Sequence, residues 1–288
     1  MIIDSHAHYS HHLYDGDFTY LDWQQGQYVV REGNRQSMLE EMKCRGICAC
    51  LEAGVSLDKT QAQLQVAAEF SPYLHYTLGI HPKHCANLQP DALEQLRMLA
   101  VNNYPIAIGE AGLDYSMSPE QEEQQDQKAW FLRQIELAHG LKLPLILHIR
   151  DAYEDALEIL HQHKSLLHGG VAHCFGSDAA MAGKLADLGF ALGIGARVFQ
   201  EPQLQEAVTR VPLEMLLVET DAPYIRPDIR HLPGSGKQRK KVRNSSLILP
   251  AVIEEIARLR GVAADEVEEA IYRNTLRVFP GMKGGNGL

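Results

Sequence analysis

Eight short apolar, β-rich runs recur along the chain, at 1–4, 46–52, 75–80, 106–109, 144–148, 170–173, 190–194 and 215–219. Stretches with helical spacing separate most of them, so the order is strand, helix, strand rather than a series of hairpins. Strands that are apolar throughout and alternate with helices must lie parallel and covered. Eight of them in 288 residues point to a closed (β/α)8 TIM barrel, with an open doubly wound sheet as the alternative. The open sheet is the weaker reading because no glycine-rich phosphate loop follows the first strand. Two helices are legible in detail. One opens at Ser118-Pro119-Glu120-Gln121, where serine fits the N-cap and proline the first turn, and repeats Phe131, Ile135 and Ala138 on its apolar face. The other carries Leu249, Val252, Ile253, Ile256 and Leu259, and Gly261 fits a left-handed C-terminal residue.

No proline- or glycine-rich linker divides the chain, so residues 1–288 are expected to form one domain. Two segments stand outside the rhythm. Residues 10–35 are long, polar and aromatic (Tyr14, Phe18, Tyr20, Trp23, Tyr28), as expected of an insertion after the first strand. Residues 226–243 hold seven basic residues and one acid, a local charge of +6 on a chain whose 27 basic and 37 acidic residues give −10. That balance excludes a generally basic nucleic-acid coat and suits a local grip on phosphate, although a solvated loop reads equally well. No run of 18 apolar residues offers a membrane span, and the N-terminus lacks a secretory pattern. Five cysteines at irregular spacing do not suggest a disulfide framework, and the chain is expected in the cytoplasm.

Chemistry gathers at the strand ends. Strand one ends in Asp4-Ser5-His6-Ala7-His8, strand three in Gly79-Ile80-His81-Pro82, and strand four in Gly109-Glu110-Ala111-Gly112-Leu113-Asp114. Strand five ends at His148-Ile149-Arg150-Asp151, strand six at His173-Cys174-Phe175, and strand eight at Glu219-Thr220-Asp221-Ala222-Pro223. In extended chain His6 and His8 share a side and can reach one metal. Each feature alone has a bland reading: a lone histidine is usually a hydrogen-bonded structural residue, and Glu110 or Asp221 could cap a helix. Their common placement on the C-terminal face of a barrel argues for a metal site. Arg150 could clamp a phosphate or pair with Asp151, and His81 could donate to a phosphate or leaving group. Asp4 is positioned to orient His6 or His8 from behind, and Glu219 to orient a ligand or cap its turn. His11, His12, His161, His163, His168 and His231 read as surface residues. Cys174 should point away from a site that His173 faces, and no G-x-S-x-G elbow is present.

Taken in order, D-x-H-x-H, G-I-H-P, G-E-x-G-L-D, H-x-R-D, H-C-F and E-T-D-A-P resemble the TatD family of metal-dependent deoxyribonucleases, within the amidohydrolase-like barrel superfamily. The resemblance runs from Met1 to about Phe279. It implies that His6, His8 and Asp221 hold one divalent ion, His148 and His173 a second, and Glu110 bridges them. It also implies hydrolysis of DNA phosphodiesters, often from the 3′ end, with single-stranded DNA or DNA ends as substrate. Asp221 and Glu110 would then be catalytic, with His81 and Arg150 in support. Histidine and carboxylate donors suit Zn²⁺ or Mn²⁺, and Mg²⁺ less naturally. Where many members carry Asn-Glu-Pro after the basic loop, this chain has Arg243-Asn244-Ser245-Ser246. Extra aromatics at 10–35 would either stack on unpaired bases or narrow the cup. The competing expectations are an amide, ester or lactone hydrolase with the same metal-activated water, and a non-catalytic binding protein.

Overall fold

The computed structural model describes residues 1–86, 88–116 and 120–285. Ten strands are present: β1 (Ile2–Ala7), β2 (Phe18–Gln24), β3 (Gln27–Gly33), β4 (Ile47–Glu52), β5 (Leu74–Tyr76), β6 (Ile108–Asp114), β7 (Leu145–Arg150), β8 (Gly170–Ala172), β9 (Phe190–Ile194) and β10 (Leu216–Val218). Strands β1, β4 and β5 pair in parallel, and β6 to β10 pair in parallel in chain order. Single parallel bridges, Leu78 to Ile108 and Ala7 to Ala222, join these two sheets at both edges. The result is an eight-stranded (β/α)8 barrel, with every expected strand in place.

Two apolar layers reveal which way each strand side faces. One cluster draws Ile3, Ala49, Leu51, Ala107, Ile146, Val171, Ala191 and Leu217 from around the ring, plugged by Phe279 and Met282. It is the filling of the barrel. The other, containing Ile2, Ala7, Ile108, Ala111, Leu145, Leu147 and Leu216, packs against the helices. Simple alternation carries the inward side from Ile146 to His148, from Val171 to His173, and from Leu217 through Glu219 to Asp221. It does not carry Ile3 to His6 or Ala107 to Glu110, which are three residues apart. Both strands have a register shift at that place: Asp4 and Ala7 pair with Cys50 and Glu52, and Ile108 and Ala111 pair with Leu145 and Leu147. The extra residue in each is a bulge, and it turns His6, His8 and Glu110 inward.

The helix expected after Tyr115 spans Gln121–Leu141, with Phe131, Ile135 and Ala138 buried. Its expected cap, Ser118 with Pro119, lies outside the described residues. The cap position in the structure is Glu120, which makes no side-chain cap bond. The helix Leu249–Arg260 ends on Gly261 at φ +68°, a left-handed conformation open to glycine.

Segment 10–35 forms a two-stranded antiparallel hairpin, β2 with β3. Tyr14, Phe18 and Tyr20 are buried in the helix-side core, while Trp23 and Tyr28 face each other at 4.8 Å. Trp23 Nε1 donates to Glu254, and Tyr28 packs near Phe199. Packing therefore uses these aromatics, and none of the buried ones can stack on a base. The hairpin also meets the basic segment, where Tyr20 bridges Arg243 and the Leu21 N–H donates to the Arg243 carbonyl at 3.0 Å.

Candidate metal centre

At the C-terminal mouth of the barrel the six expected ligands converge. His6 Nε2 and His8 Nε2 lie 3.3 Å apart, and Asp221 Oδ1 is 3.7 Å from the first and 3.2 Å from the second. Across the cup, His148 Nδ1 and His173 Nε2 are 3.0 Å apart. Glu110 stands between the two groups. Its Oε1 is 3.5 Å from His6, 3.4 Å from His148 and 3.1 Å from His173, and its Oε2 is 3.6 Å from His8.

Those spacings suit cations. Donors at about 2.0–2.1 Å from a tetrahedral metal sit roughly 3.3–3.4 Å from one another. Imidazole nitrogens and carboxylate oxygens spaced 3.0–3.7 Å apart and turned toward common centres match the edges of such a polyhedron. Four groups of three such donors fall within reach of one another: His6–His8–Glu110, His6–His173–Asp221, Glu110–His148–His173 and His81–Asp114–His148.

Burial and neighbouring charges act together in the cup. Burial and the neighbouring His173 hold His6 well below the usual imidazole range, with Glu110 opposing. Burial would raise Glu110, but His6, His148 and His173 outweigh it and hold the carboxyl well below its usual range. Burial also opposes the charged form of His8, yet Asp221 and Glu110 push that group up to about 9. A buried pocket that keeps the Glu110 carboxylate ionised beside imidazoles is prepared for cations.

Residues behind the ligands fix their aim. Asp114 is one to which the sequence alone assigns no role: its Oδ2 takes His148 Nε2 at 3.1 Å, and its Oδ1 accepts from the Ser116 N–H and hydroxyl at 3.0 and 2.5 Å. The Nε2 proton thus points to Asp114 and leaves the Nδ1 lone pair facing Glu110 and His173. Glu219 stands behind His173, its Oε1 3.5 Å from Nδ1 but engaged by the Cys174 N–H, so among the described residues His173 Nδ1 itself makes no hydrogen bond. Gly193 lies against Glu219 so closely that a Cβ there would stand 2.0 Å from Oε2. Two buried glutamines of the Gln121–Leu141 helix clamp strand ends: Gln134 binds both backbone groups of Ile80, and Gln127 both of Asp114.

Several expectations change in detail. Asp4 does not touch either imidazole. It accepts from the backbone N–H of His6 and Thr220 at 3.2 and 3.1 Å, and from the Thr220 and Ser246 hydroxyls at 2.6 Å each. Its carboxylate therefore ties the first strand to the chain just past the last. Glu52, buried, binds the Tyr9 and Ser10 N–H groups and the Ser10 hydroxyl, pinning the chain just past His8. The Asn244-Ser245-Ser246 segment is buried, and Asn244 Nδ2 donates to the Thr220 and Ile225 carbonyls at 2.9 and 3.1 Å. His81 lies at the mouth, its ring 4.1 Å from that of His148 and its Nδ1 accepting from the Lys83 N–H. Arg150 is exposed on the rim, and among the described residues it makes no ion pair with Asp151 or any other acid. His11, expected at the surface, is half-buried, 5.6 Å from the Tyr224 ring. Burial pushes the Cys174 thiol up to about 11, so it offers no thiolate at neutral pH.

The sequence model of the family described as "TatD related DNase" matches residues 3–280. The "uncharacterized metal-dependent hydrolase YcfH" of Escherichia coli strain K12 is 37% identical over 230 residues, covering 75% of this chain and 82% of the relative. The "3'-5' ssDNA/RNA exonuclease TatD" of Erwinia amylovora is 34% identical over 251 residues, covering 85% and 93%. Among solved structures, a TatD homologue from E. coli, YJJV, superimposes with a TM-score of 0.78 at 24% identity over 97% of this chain and 98% of the other. A TatD-family hydrolase from Entamoeba histolytica gives 0.79 at 20% identity over 96% and 97%. With the barrel, the convergence of its strand-end histidines and this near-complete match in view, the chain belongs to the TatD related DNase family.

Proposed function

We propose that this chain is a metal-dependent hydrolase of nucleic-acid phosphodiesters, working as a 3′–5′ exonuclease on single-stranded DNA with two divalent ions in the cup. The observation that carries the reading is Glu110, a single buried carboxylate with its two oxygens within 3.6 Å of four imidazoles, those of His6, His8, His148 and His173. His6, His8 and Asp221 would hold one ion, His148 and His173 the other, and Glu110 would span both. Zn²⁺ or Mn²⁺ suits these donors best. Bound there, the ions supply Lewis acidity to a phosphoryl oxygen and lower the pKa of an attacking water.

The residues do the rest. Asp221, at the open side of the cup, takes the water's proton while its other contacts hold it beside His8. It sits at φ +52°, a sparsely populated conformation braced by its N–H to the His6 carbonyl at 2.9 Å. Asp114 keeps the His148 imidazole in the tautomer that faces inward, and Glu219 stands behind His173. His81 stands where it can donate to the leaving oxygen, and Arg150 on the rim can reach an incoming phosphate. The same reading takes 1–288 as one barrel unit with additions at 10–35 and 226–243. A cytosolic setting accompanies it, supported by five cysteines that are all thiols. No helix among the described residues is long and apolar enough to cross a membrane.

The test is hydrolysis of 3′- and 5′-end-labelled single-stranded DNA by metal-stripped protein resupplied with Zn²⁺, Mn²⁺ or Mg²⁺. Stepwise shortening from the 3′ end, abolished in Asp221→Asn and Glu110→Gln, is expected. Intact DNA with two metals bound per chain would overturn the nuclease reading in favour of small ester, lactone or amide substrates.

A further inference from the structure

Beyond Asp221 the chain leaves the cup through Ala222-Pro223-Tyr224 and enters the basic segment. Most charges there are accounted for. Arg239 donates to the Leu232 and Gly234 carbonyls, Arg230 pairs with Asp228, and Lys237 and Lys241 are exposed. Arg226 and Arg243 are different. Both are half-buried, and among the described residues neither has an acidic partner. Arg226 Nη1 donates to the Arg239 and Val242 carbonyls at 2.6 Å each, and Arg243 Nε donates to the Leu13 carbonyl at 3.2 Å. A guanidinium has five N–H donors, so Arg226 Nη2 and both Nη groups of Arg243 are left without a protein acceptor. Burial, and after it the nearby Arg243 charge, holds Arg226 below its ordinary range.

Half-buried like charges without a counter-ion are unfavourable unless a ligand supplies one. These two line an open surface cavity of about 440 Å³ together with Lys240 and Tyr224. No metal-ligand residue lines it, but it adjoins the centre: the Tyr224 ring is 5.9 Å from that of His8 and 42% exposed. Tyr224 is the exposed large aromatic beside the cup, a position the buried aromatics of 10–35 cannot fill.

Resting on the nuclease reading, we propose that this cavity is a second substrate subsite, in which Arg226, Arg243 and Lys240 grip the strand phosphate next to the scissile one and Tyr224 stacks on its base. Guanidinium forks match phosphate oxygens, and an aromatic face accepts any base, so such a subsite holds the strand without reading its sequence. The basic segment would then act at one or two phosphates rather than as a general attractant.

The experiment measures binding of a labelled five-nucleotide single strand with phosphorothioate linkages to the metal-loaded protein over a salt series, with cleavage of ordinary DNA followed in parallel. Arg243→Gln should weaken binding about tenfold and flatten the slope of log affinity against log salt by about 0.7, the value of one lost phosphate contact on a single strand. Arg243→Lys should restore the slope. Tyr224→Leu should weaken binding about five- to 100-fold with the slope unchanged. Lys240→Ala, at an exposed position, repeats the slope test where folding is not at stake. Unchanged affinity and slope in both charge variants would overturn the subsite even if the wild type degrades DNA, and so would a wild type that fails to bind the strand. Inorganic phosphate binding as tightly as the strand at constant ionic strength, and weakened equally by Arg243→Gln, would overturn it in favour of a free-anion site. Salt-sensitive binding lost in the variants, without cleavage by the wild type, would keep the subsite and remove the nuclease reading.

Discussion

Replacing Asp114 by alanine is expected to loosen one half of the metal centre while the other half stays intact. Its carboxylate accepts the His148 Nε2 proton at 3.1 Å, and that bond leaves the lone pair on Nδ1, 3.0 Å from His173 Nε2 and 3.4 Å from Glu110 Oε1. A hydrogen bond to a charged group contributes about 1.5–3 kcal/mol. At about 1.4 kcal/mol per factor of ten, its loss lowers affinity at the His148–His173 site roughly 10–100-fold, as removal of a carboxylate behind a metal-bound histidine typically does. Asp114→Asn keeps an acceptor oxygen and loses only the charge, so its effect should be about tenfold or less. Competition for Zn²⁺ or Mn²⁺ against a chromophoric chelator reads the two sites separately: Asp114→Ala should bind one ion as the wild type does and the second more weakly. Activity on single-stranded DNA should return as metal is raised. Wild-type affinity at both sites in Asp114→Ala would refute the idea that this carboxylate sets the tautomer of His148.

Three further outcomes follow from the same geometry. Removing metal with a chelator should lower the melting temperature by about 8–16 °C, because ligand at a thousand times its dissociation constant stabilises by about 4 kcal/mol and each kcal/mol shifts a chain of this size by roughly 2–4 °C; an unmoved transition on reloading would contradict binding at the buried cluster. Gly193→Ala forces Glu219 away from His173, since the new Cβ would stand 2.0 Å from Oε2; urea titration should show about 1–3 kcal/mol lost, and activity should fall with it. Burial raises the thiols of Cys174 to about 11 and Cys85 to about 12, whereas Cys44 is exposed. A raised thiol pKa keeps the protonated, unreactive form well past neutrality, leaving a thiolate fraction of about 10⁻³ for Cys174 at pH 8. Mass spectrometry after alkylation at pH 8 should find Cys44 labelled first, and early labelling of Cys174 would contradict its raised pKa.

The barrel was legible because its strands are apolar on both faces, and each short apolar run falls on a real strand. The clustering of the candidate ligands was legible because a barrel gathers all strand ends on one face. What stayed hidden depends on tertiary contacts. The bulges in β1 and β6 leave no periodic trace: strict alternation from the filling residues Ile3 and Ala107 would turn His6 and Glu110 outward, and only their residue types argue for the inward side. Asp114 could have been found, since it lies four residues beyond Glu110 on the same side of one strand. The work of Gln127, Gln134 and Asn244 could not, because a buried amide that clamps a distant backbone looks like any surface amide in one sequence. The aromatics at 10–35 went the other way: they resemble a base-stacking surface and serve as core, while the exposed ring beside the cup is Tyr224.

The seam between β1 and β10 sets a timetable for making the protein. It consists of the Ala7–Ala222 bridge, the His8 N–H to the Ala222 carbonyl at 2.7 Å, the Asp221 N–H to the His6 carbonyl at 2.9 Å, and the Asp4 bonds to Thr220 and Ser246. His6 and Asp221 are 215 residues apart in the chain (221 − 6). At about 5–20 residues per second of synthesis, His6 and His8 wait roughly 10–40 seconds for the carboxylate that joins them. During that wait β1 is an unpaired edge, and its two imidazoles form only a fragment of a coordination shell. On the proposed ligand set an ion would find all its donors only after the ring closes, and a chain stalled before residue 221 would be an aggregation hazard rather than a partial enzyme.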